Sequence, residues 1–314
     1  MIHTILGAGG AIGSPLTNEL LKHEQSVKLF SRSGIQVKGA ESVKGDLTSY
    51  EDTLSAVKGS DVVYLLAGLA YNYNVWVEKW PVIMQNAINA CKSAGAKLIF
   101  FDNVYMYGKV DGKMTETTPY NPCSKKGELR AKIALQLEQE YKSGNLLAMI
   151  ARAADFYGPY ATKSSVPYVL AINNFMKGKR AQWLADVSTL HSYTYTLDCS
   201  RALYLLANSN EAFNQVWHLP TYNPPLDGKT FIEIIARELG VKPNYFVLKK
   251  WMVKTAGLFD KTIYELYEMI YQSEFDYYFD STKYENFFNY KPVAYQEGIK
   301  ETIEFLKSSG AKNN

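Results

Sequence analysis

Short blocks of apolar and β-branched residues recur through the first half of the chain and alternate with longer stretches of helical period. Ile2 to Leu6, Val27 to Phe30, Val62 to Leu66, Lys97 to Phe101 and Leu146 to Ala151 read as strands. Between them, Ala11 to Lys22, Tyr50 to Val57, Trp76 to Ser93 and Lys125 to Tyr141 repeat apolar residues every three or four positions and read as helices. Near-continuous apolar strands belong to a sheet covered on both faces, and strand, helix, strand at this spacing builds βαβ units. The pattern predicts an α/β fold with a doubly wound parallel sheet.

After about Pro159 the alternation weakens. Val166 to Lys177, Ser200 to Ala207, Thr230 to Leu239, Thr262 to Tyr271 and Tyr295 to Lys307 read as helices, with a mixed stretch from Gln182 to Thr196. This half is expected to add one or two strands to the main sheet and otherwise to form a smaller, mostly helical lobe over the carboxyl ends of the strands, where open α/β sheets bind ligands. The expected division is 1–160, continued by roughly 181–220, for the sheet domain, with 161–180 and 221–314 as the substrate-binding lobe.

Composition excludes several classes. With 314 residues, 47% hydrophobic and 21% charged, the chain has the make-up of an ordinary globular protein. The longest apolar stretch, Val62 to Tyr71, is half of a bilayer span, and no leader pattern precedes Ile2, so a cytoplasmic protein without a membrane partner is expected. A net charge of +3 is too weak a bias for nucleic-acid binding. Cys91, Cys123 and Cys199 are scattered and share no ligand spacing with the four histidines, so neither a disulfide nor a metal site is expected.

Chemistry enters with Gly7, Gly10 and Gly13, which follow the first strand directly and open the first helix. Gly7 permits the turn, Gly10 lets the backbone approach a pyrophosphate, and Gly13 lets helix and strand pack closely. The main-chain N–H groups of Ala11 and Ile12 at the helix start favour the anion. At the end of the second strand, where a site for NAD places a carboxylate, the chain reads Ser31, Arg32, Ser33. A guanidinium between two hydroxyls suits a 2′-phosphate, so NADP(H) is the expected cofactor and NAD(H) the alternative. Asp46 and Leu47 after the third strand, and Ala67 and Gly68 after the fourth, are placed to flank the adenosine.

Together with Gly45-Asp46-Leu47, the run Asp102 to Gly108, Arg152 with Phe156-Tyr157-Gly158-Pro159, and Tyr193 to Asp198, these residues resemble the extended or atypical short-chain dehydrogenase/reductases, the NAD-dependent epimerase/dehydratase family. The resemblance implies a Rossmann-type sheet of about seven strands, a nicotinamide cofactor beside Asp102, and a C-terminal lobe that shapes the substrate pocket. It breaks in the catalytic set. Asn103 stands where the family carries Ser or Thr, and no Tyr opens the expected YxxxK helix. Tyr105 to Lys109 and Tyr245 to Lys249 fit YxxxK as text, in the number that chance placement gives.

Matched by register, Lys126 takes the tyrosine position and Arg130 the lysine position; a second register, with Lys126 in the lysine position, is also open. At i and i+4 they share a helix face, where both reach toward the cofactor ribose or a substrate oxygen. A cation beside a cation depresses a lysine pKa, which would make Lys126 a proton donor; the alternative is solvated charges, with Arg130 pairing to Glu128 or Glu138. Asn103 either holds a substrate carbonyl or caps the strand end. Tyr105, Tyr107, Asp155, Tyr157, His191 and Tyr193 are the expected substrate contacts. Asp198 is expected to N-cap its helix, and Tyr264, Tyr267 and Tyr271 to form one aromatic face.

The reading is an NADP(H)-dependent oxidoreductase or epimerase/dehydratase-like enzyme acting on a small carbonyl, hydroxyl or sugar-type substrate. Its rivals are a dinucleotide sensor without turnover and a scaffold with a vestigial loop. Leu129, Ile133, Leu135 and Leu137 fit either a homodimer seam or a helix packed on its own sheet.

Overall fold

The computed structural model describes residues 1–309. Seven strands form one sheet: β1 (Ile2–Leu6), β2 (Ser26–Ser31), β3 (Glu41–Lys44), β4 (Val62–Leu65), β5 (Lys97–Asp102), β6 (Ala148–Arg152) and β7 (Val216–His218). Their spatial order is β7-β6-β5-β4-β1-β2-β3, and every pair is parallel. The order reverses between β1 and β4, so the carboxyl ends of these two strands bound the crevice in which such sheets hold ligands. All four residues of β4 and all five of β6 are buried, as expected of strands covered on both faces.

Helices α1 (Gly13–Lys22), α2 (Tyr50–Val57), α3 (Tyr73–Ala94), α4 (Lys125–Lys142) and α5 (Thr196–Ala207) supply the cover. On one face α2, α3 and α4 bury Ile83, Ala87, Ile133 and Leu137 against Val63, Leu98 and Phe100. On the other, α1 and α5 bury Leu16, Leu20, Leu203 and Leu206 against Ile5, Tyr64 and Ile99. On α4, Leu129, Ile133 and Leu137 turn inward while Leu135 is exposed, so the apolar set divides between sheet and surface.

The C-terminal lobe has its own core, in which Phe231 and Ile235 of α6 (Gly228–Leu239) meet Ile299 and Ile303 of α9 (Tyr295–Ser308). A smaller helical hairpin, α7 (Lys250–Ala256) and α8 (Lys261–Tyr267), rests on little more than Val253 and Ile270. The second half of the chain gives one strand, β7, to the main sheet. Its other strands form short two-stranded pairs, among them Asp155–Tyr157 with Tyr193–Tyr195, which sets Asp155 opposite Tyr193.

Several expectations are corrected here. The first helix starts at Gly13 rather than residue 11, because residues 7–12 are spent on the turn. The stretch from Val166 to Lys177 is a π turn, Tyr168–Ile172, followed by one α turn, Asn173–Met176. The helix expected from Thr262 to Tyr271 stops at Tyr267 and resumes as a 3₁₀ turn, Ile270–Ser273, which splits the tyrosine face: Tyr264 points to solvent while Tyr267 and Tyr271 are half-buried. Asp198 does not cap α5, which begins two residues earlier. Its buried carboxylate instead accepts the Tyr290 hydroxyl (2.6 Å) and the Val293 N–H (2.8 Å), tying the approach to α9 onto the sheet domain.

Candidate active site at the carboxyl edge of the sheet

The turn after β1 is built by glycine. Gly7 adopts φ +94°, and a Cβ there would lie 2.8 Å from the Cα of Ala67 at the end of β4. A Cβ on Gly13 would press on the Ala8 backbone at 3.3 Å. Gly10 differs: nothing lies within 4 Å of its Cβ position, so the turn opens outward there. Side chains cap α2, α3 and α4 through Ser49, Asn72 and Ser124, whereas α1 has no side-chain cap. The N–H groups of Gly9, Gly10, Ala11, Ile12 and Gly13 meet no acceptor among the described residues. Five unspent donors at a helix start, behind a glycine surface, form a cradle that fits the pyrophosphate of a dinucleotide.

At the end of β2, Arg32 and Ser33 are exposed, and Ser31 Oγ accepts the Ile35 N–H at 3.0 Å, which fixes the turn that carries them. Asp46 lies beyond β3. The Thr48 N–H and hydroxyl, at 2.9 and 2.8 Å, hold its pKa below the usual carboxylate value, with lesser help from Lys79 and Arg32. Leu47 is buried, and Ala67 and Gly68 border the opening of the crevice between β1 and β4.

Lys126 and Arg130 stand where the register puts them, one turn apart on α4, and both are buried. Each faces its own carboxylate rather than the other cation. Arg130 Nε donates to Asp102 Oδ1 at 2.8 Å, with Nη2 on the same oxygen, so its partner is neither Glu128 nor Glu138. Lys126 Nζ donates to Glu265 Oε2 at 2.5 Å, to Glu268 Oε2 at 2.9 Å and to the Glu265 carbonyl at 3.1 Å. Glu268 also accepts the N–H groups of Lys125 and Lys126, and Glu265 that of Tyr73 at 3.1 Å, so the segment from α8 onward is pinned across the starts of α3 and α4. Neither glutamate carries a signal in the sequence, because the lysine they hold is 139 and 142 residues away.

Asn103 Oδ1 accepts the Tyr105 N–H at 3.0 Å, a strand-end cap that leaves its amide NH₂ without a partner among the described residues. Asp155, its side chain 28% exposed, opens the short strand that follows β6. His191 Nε2 lies 3.1 Å from Asp155 Oδ2, with the imidazole stacked on Tyr277 (4.3 Å between centroids) and Tyr193 (4.5 Å). Burial, then the neighbouring Tyr105 hydroxyl, then the charges of Asp155 and Glu268, push the Tyr71 hydroxyl pKa up. Burial and Asp155 do the same to Tyr105, and Lys126 Nζ lies 5.0 Å from the centre of the Tyr71 ring.

Two expected substrate contacts are turned elsewhere. Tyr107 Oη accepts from Arg152 Nη1 at 2.6 Å and lies 2.8 Å from His218 Nε2, while His218 Nδ1 lies 2.8 Å from the Asp280 carbonyl oxygen, so the chain runs into the interior. Burial first, then the Arg152 charge, lowers the His218 pKa to about 3. Tyr157 is in the lobe core between Phe231 and Tyr295, its hydroxyl against Gly298. The structure thus gathers Asn103, Tyr105, Lys126, Arg130, Asp155, His191 and Tyr193 and leaves Tyr107 and Tyr157 behind them.

Residues 3–219 match the model of the NAD dependent epimerase/dehydratase family. An uncharacterized protein of Sinorhizobium fredii, y4nL, is 23% identical over 88% of this chain and 83% of its own length. A dTDP-glucose 4,6-dehydratase of Mycobacterium tuberculosis is 24% identical over about half of each chain, 51% of both. Among solved structures, dTDP-glucose 4,6-dehydratase of Bacillus anthracis in complex with NAD superposes with a TM-score of 0.81 over 99% of this chain and 98% of that one, at 18% identity.

Proposed function

The chain belongs to the NAD dependent epimerase/dehydratase family, and from that premise we propose that it is an NADP(H)-dependent oxidoreductase or epimerase/dehydratase-like enzyme with a non-standard catalytic set. The observation that carries this reading is the cradle of five unspent N–H groups around Gly10, with Arg32 exposed at the end of the neighbouring strand. A bound nicotinamide would supply hydride transfer to or from a substrate carbon. The residues of the chain do the rest. Gly7, Gly10, Ala11, Ile12 and Gly13 seat the pyrophosphate, Ser31, Arg32 and Ser33 the 2′-phosphate, and Asp46, Leu47, Ala67 and Gly68 the adenosine.

Asp102 fixes Arg130, the two would face the nicotinamide end of the cofactor, and the Asn103 amide would donate to a substrate oxygen. Lys126, matched to the tyrosine register, would serve the cofactor ribose or the substrate oxygen only by withdrawing a donor now given to Glu265 or Glu268. Tyr105, Asp155, His191 and Tyr193 face the substrate, a small carbonyl, hydroxyl or sugar-type compound. The dehydratase relatives carry dTDP-glucose in their names. A second copy packed on α3 and α4 would cover the exposed Val77, Val82 and Leu135.

One observation favours a non-catalytic dinucleotide sensor instead: Lys126 and Arg130 are sealed by carboxylates. Incubation with NADPH or NADP⁺ and a panel of ketones, aldehydes, sugars and nucleotide sugars separates the two. Turnover that falls in Lys126→Ala and Arg130→Ala supports the enzyme, whereas tight coenzyme binding with no turnover of any compound supports the sensor.

A further inference from the structure

The hairpin of α7 and α8 leaves its outer side bare. Val253 and Ile263 turn inward, and Glu265 is spent on Lys126. Outward stand Phe259 (88% exposed), Leu258 (76%), Trp251 (68%) and Tyr264 (65%), the four most exposed large apolar side chains among the described residues. The N–H groups of Leu258 and Phe259 donate to the carbonyls of Thr255 and Ala256 at 3.2 and 3.0 Å, so the winding of α7 continues into the turn. Trp251 and Leu258, at i and i+7, therefore lie on one side of it. Tyr264 belongs to the same tip: a Cβ on Gly257 would meet its Cα at 3.0 Å.

The tip is also basic. From Lys249 to Tyr264 the chain carries four lysines and one carboxylate, Asp260. Lys254 shares the side of Trp251 and Leu258, at i+3 from the first and i−4 from the second, and Lys261 stands one turn before Tyr264. Both lysines are exposed and form no ion pair among the described residues, whereas Lys250 pairs with Glu274 at 2.7 Å. Asp260 is occupied as the cap of α8, accepting the N–H groups of Thr262 and Ile263 at 2.7 and 3.1 Å.

An apolar patch of this kind marks a contact surface, and shape and charge select what covers it. Two copies laid tip to tip would set lysines against lysines. Adjacent side chains as bare as Leu258 and Phe259 project, so the tip inserts and does not receive. Trp and Tyr beside Leu and Phe, bordered by lysines, is the composition that rests in the headgroup region of an anionic bilayer. There the apolar groups enter the acyl boundary while lysine stems extend to the phosphates. No helix among the described residues is long and apolar enough to cross a membrane, so the contact is with its surface. The expectation of no membrane partner rests on the lack of a span, which a surface-seated hairpin does not need.

We propose that the α7–α8 hairpin seats this protein on an anionic lipid surface, with Trp251, Leu258, Phe259 and Tyr264 at the acyl boundary and Lys254 and Lys261 against lipid phosphates. The inference goes beyond the coenzyme reading, and no coenzyme enters its test.

The full-length chain is sedimented with vesicles of phosphatidylcholine alone and with about a third phosphatidylglycerol. Binding to the anionic vesicles is expected, weaker by about tenfold or more on phosphatidylcholine alone and falling as KCl rises. The joint variant Leu258→Asp, Phe259→Asp should lose binding with its melting temperature within about 2 °C of wild type, because both positions are exposed. Lys254→Glu with Lys261→Glu should weaken binding by about tenfold or more. A readout on the wild type needs no variant: Trp76, Trp80, Trp183 and Trp217 are buried, so a shift of tryptophan emission to shorter wavelength on vesicles reports Trp251. Absence of binding to anionic vesicles, binding indifferent to the Leu258 and Phe259 changes, or bound protein with unshifted emission overturns the proposal. So does light scattering that finds a vesicle-free dimer which those two changes dissociate, since the face would then belong to a second copy.

Discussion

Lys126 Nζ lies 2.5 Å from Glu265 Oε2, and the lysine is wholly buried. A helix in the amino-terminal half is thereby tied to a segment 139 residues further on. The hairpin that holds Glu265 has a small apolar footprint, so this ion pair and its neighbour to Glu268 anchor it.

Removing the lysine should therefore unfasten the lobe. Lys126→Met leaves two carboxylates facing each other in a largely desolvated place. A loss of about 3 kcal/mol in urea unfolding is expected, the low end for a broken buried pair because Glu268 is a quarter exposed. Hydrogen exchange should accelerate more in residues 250–275 than in the main sheet.

The glycines of the turn should separate into structural and ligand-facing. Gly7→Ala forces a side chain into φ +94° and against Ala67, at a cost of about 1–3 kcal/mol in stability. Gly10→Val points into open space, so its melting temperature should stay within about 2 °C of wild type. Its dinucleotide affinity should fall by about tenfold or more. Thermal melts with and without NADPH read both effects.

Arg32 should choose between the two coenzymes. Charge-assisted hydrogen bonds contribute about 1.5–3 kcal/mol, so Arg32→Ala is expected to weaken NADPH by about 10- to 100-fold and to leave NADH nearly unchanged. Fluorescence titration of both coenzymes against both proteins measures the ratio.

Much of this was legible from residue pattern because it is local. The parallel sheet, the glycine turn and the i, i+4 placement of Lys126 and Arg130 follow from apolar periodicity and helix geometry, and the structure reproduces them. What escaped depends on distant partners. Arg130 was set against Glu128 and Glu138, its helix neighbours, yet the bond is made to Asp102 across the sheet edge. Asp198 fits an N-cap by position, but burial beside Tyr290 and Val293 gives it a different task. Glu265 and Glu268 carry no signal until the lobe folds back on α4.

Acid should destabilise the fold through two buried histidines. Burial lowers the pKa of His3 to about 4 and that of His218 to about 3, from a usual 6.5. The unfolded chain therefore binds protons that the native chain refuses. The contribution is complete above pH 6.5 and is lost as pH falls toward about 4 and about 3, by up to about 1.4 kcal/mol per pH unit for each group. His218→Gln should flatten the slope of unfolding free energy against pH over that window, measured by denaturant titration at several pH values.

The most direct measurement is calorimetric titration of the wild-type chain with NADPH and then NADH, alongside a thermal melt. The glycine cradle and Arg32 predict one site per chain, a tighter constant for NADPH than for NADH, and a higher melting temperature with either coenzyme. No heat and no shift with both would contradict the assignment of the turn as a dinucleotide site, and with it the proposed chemistry.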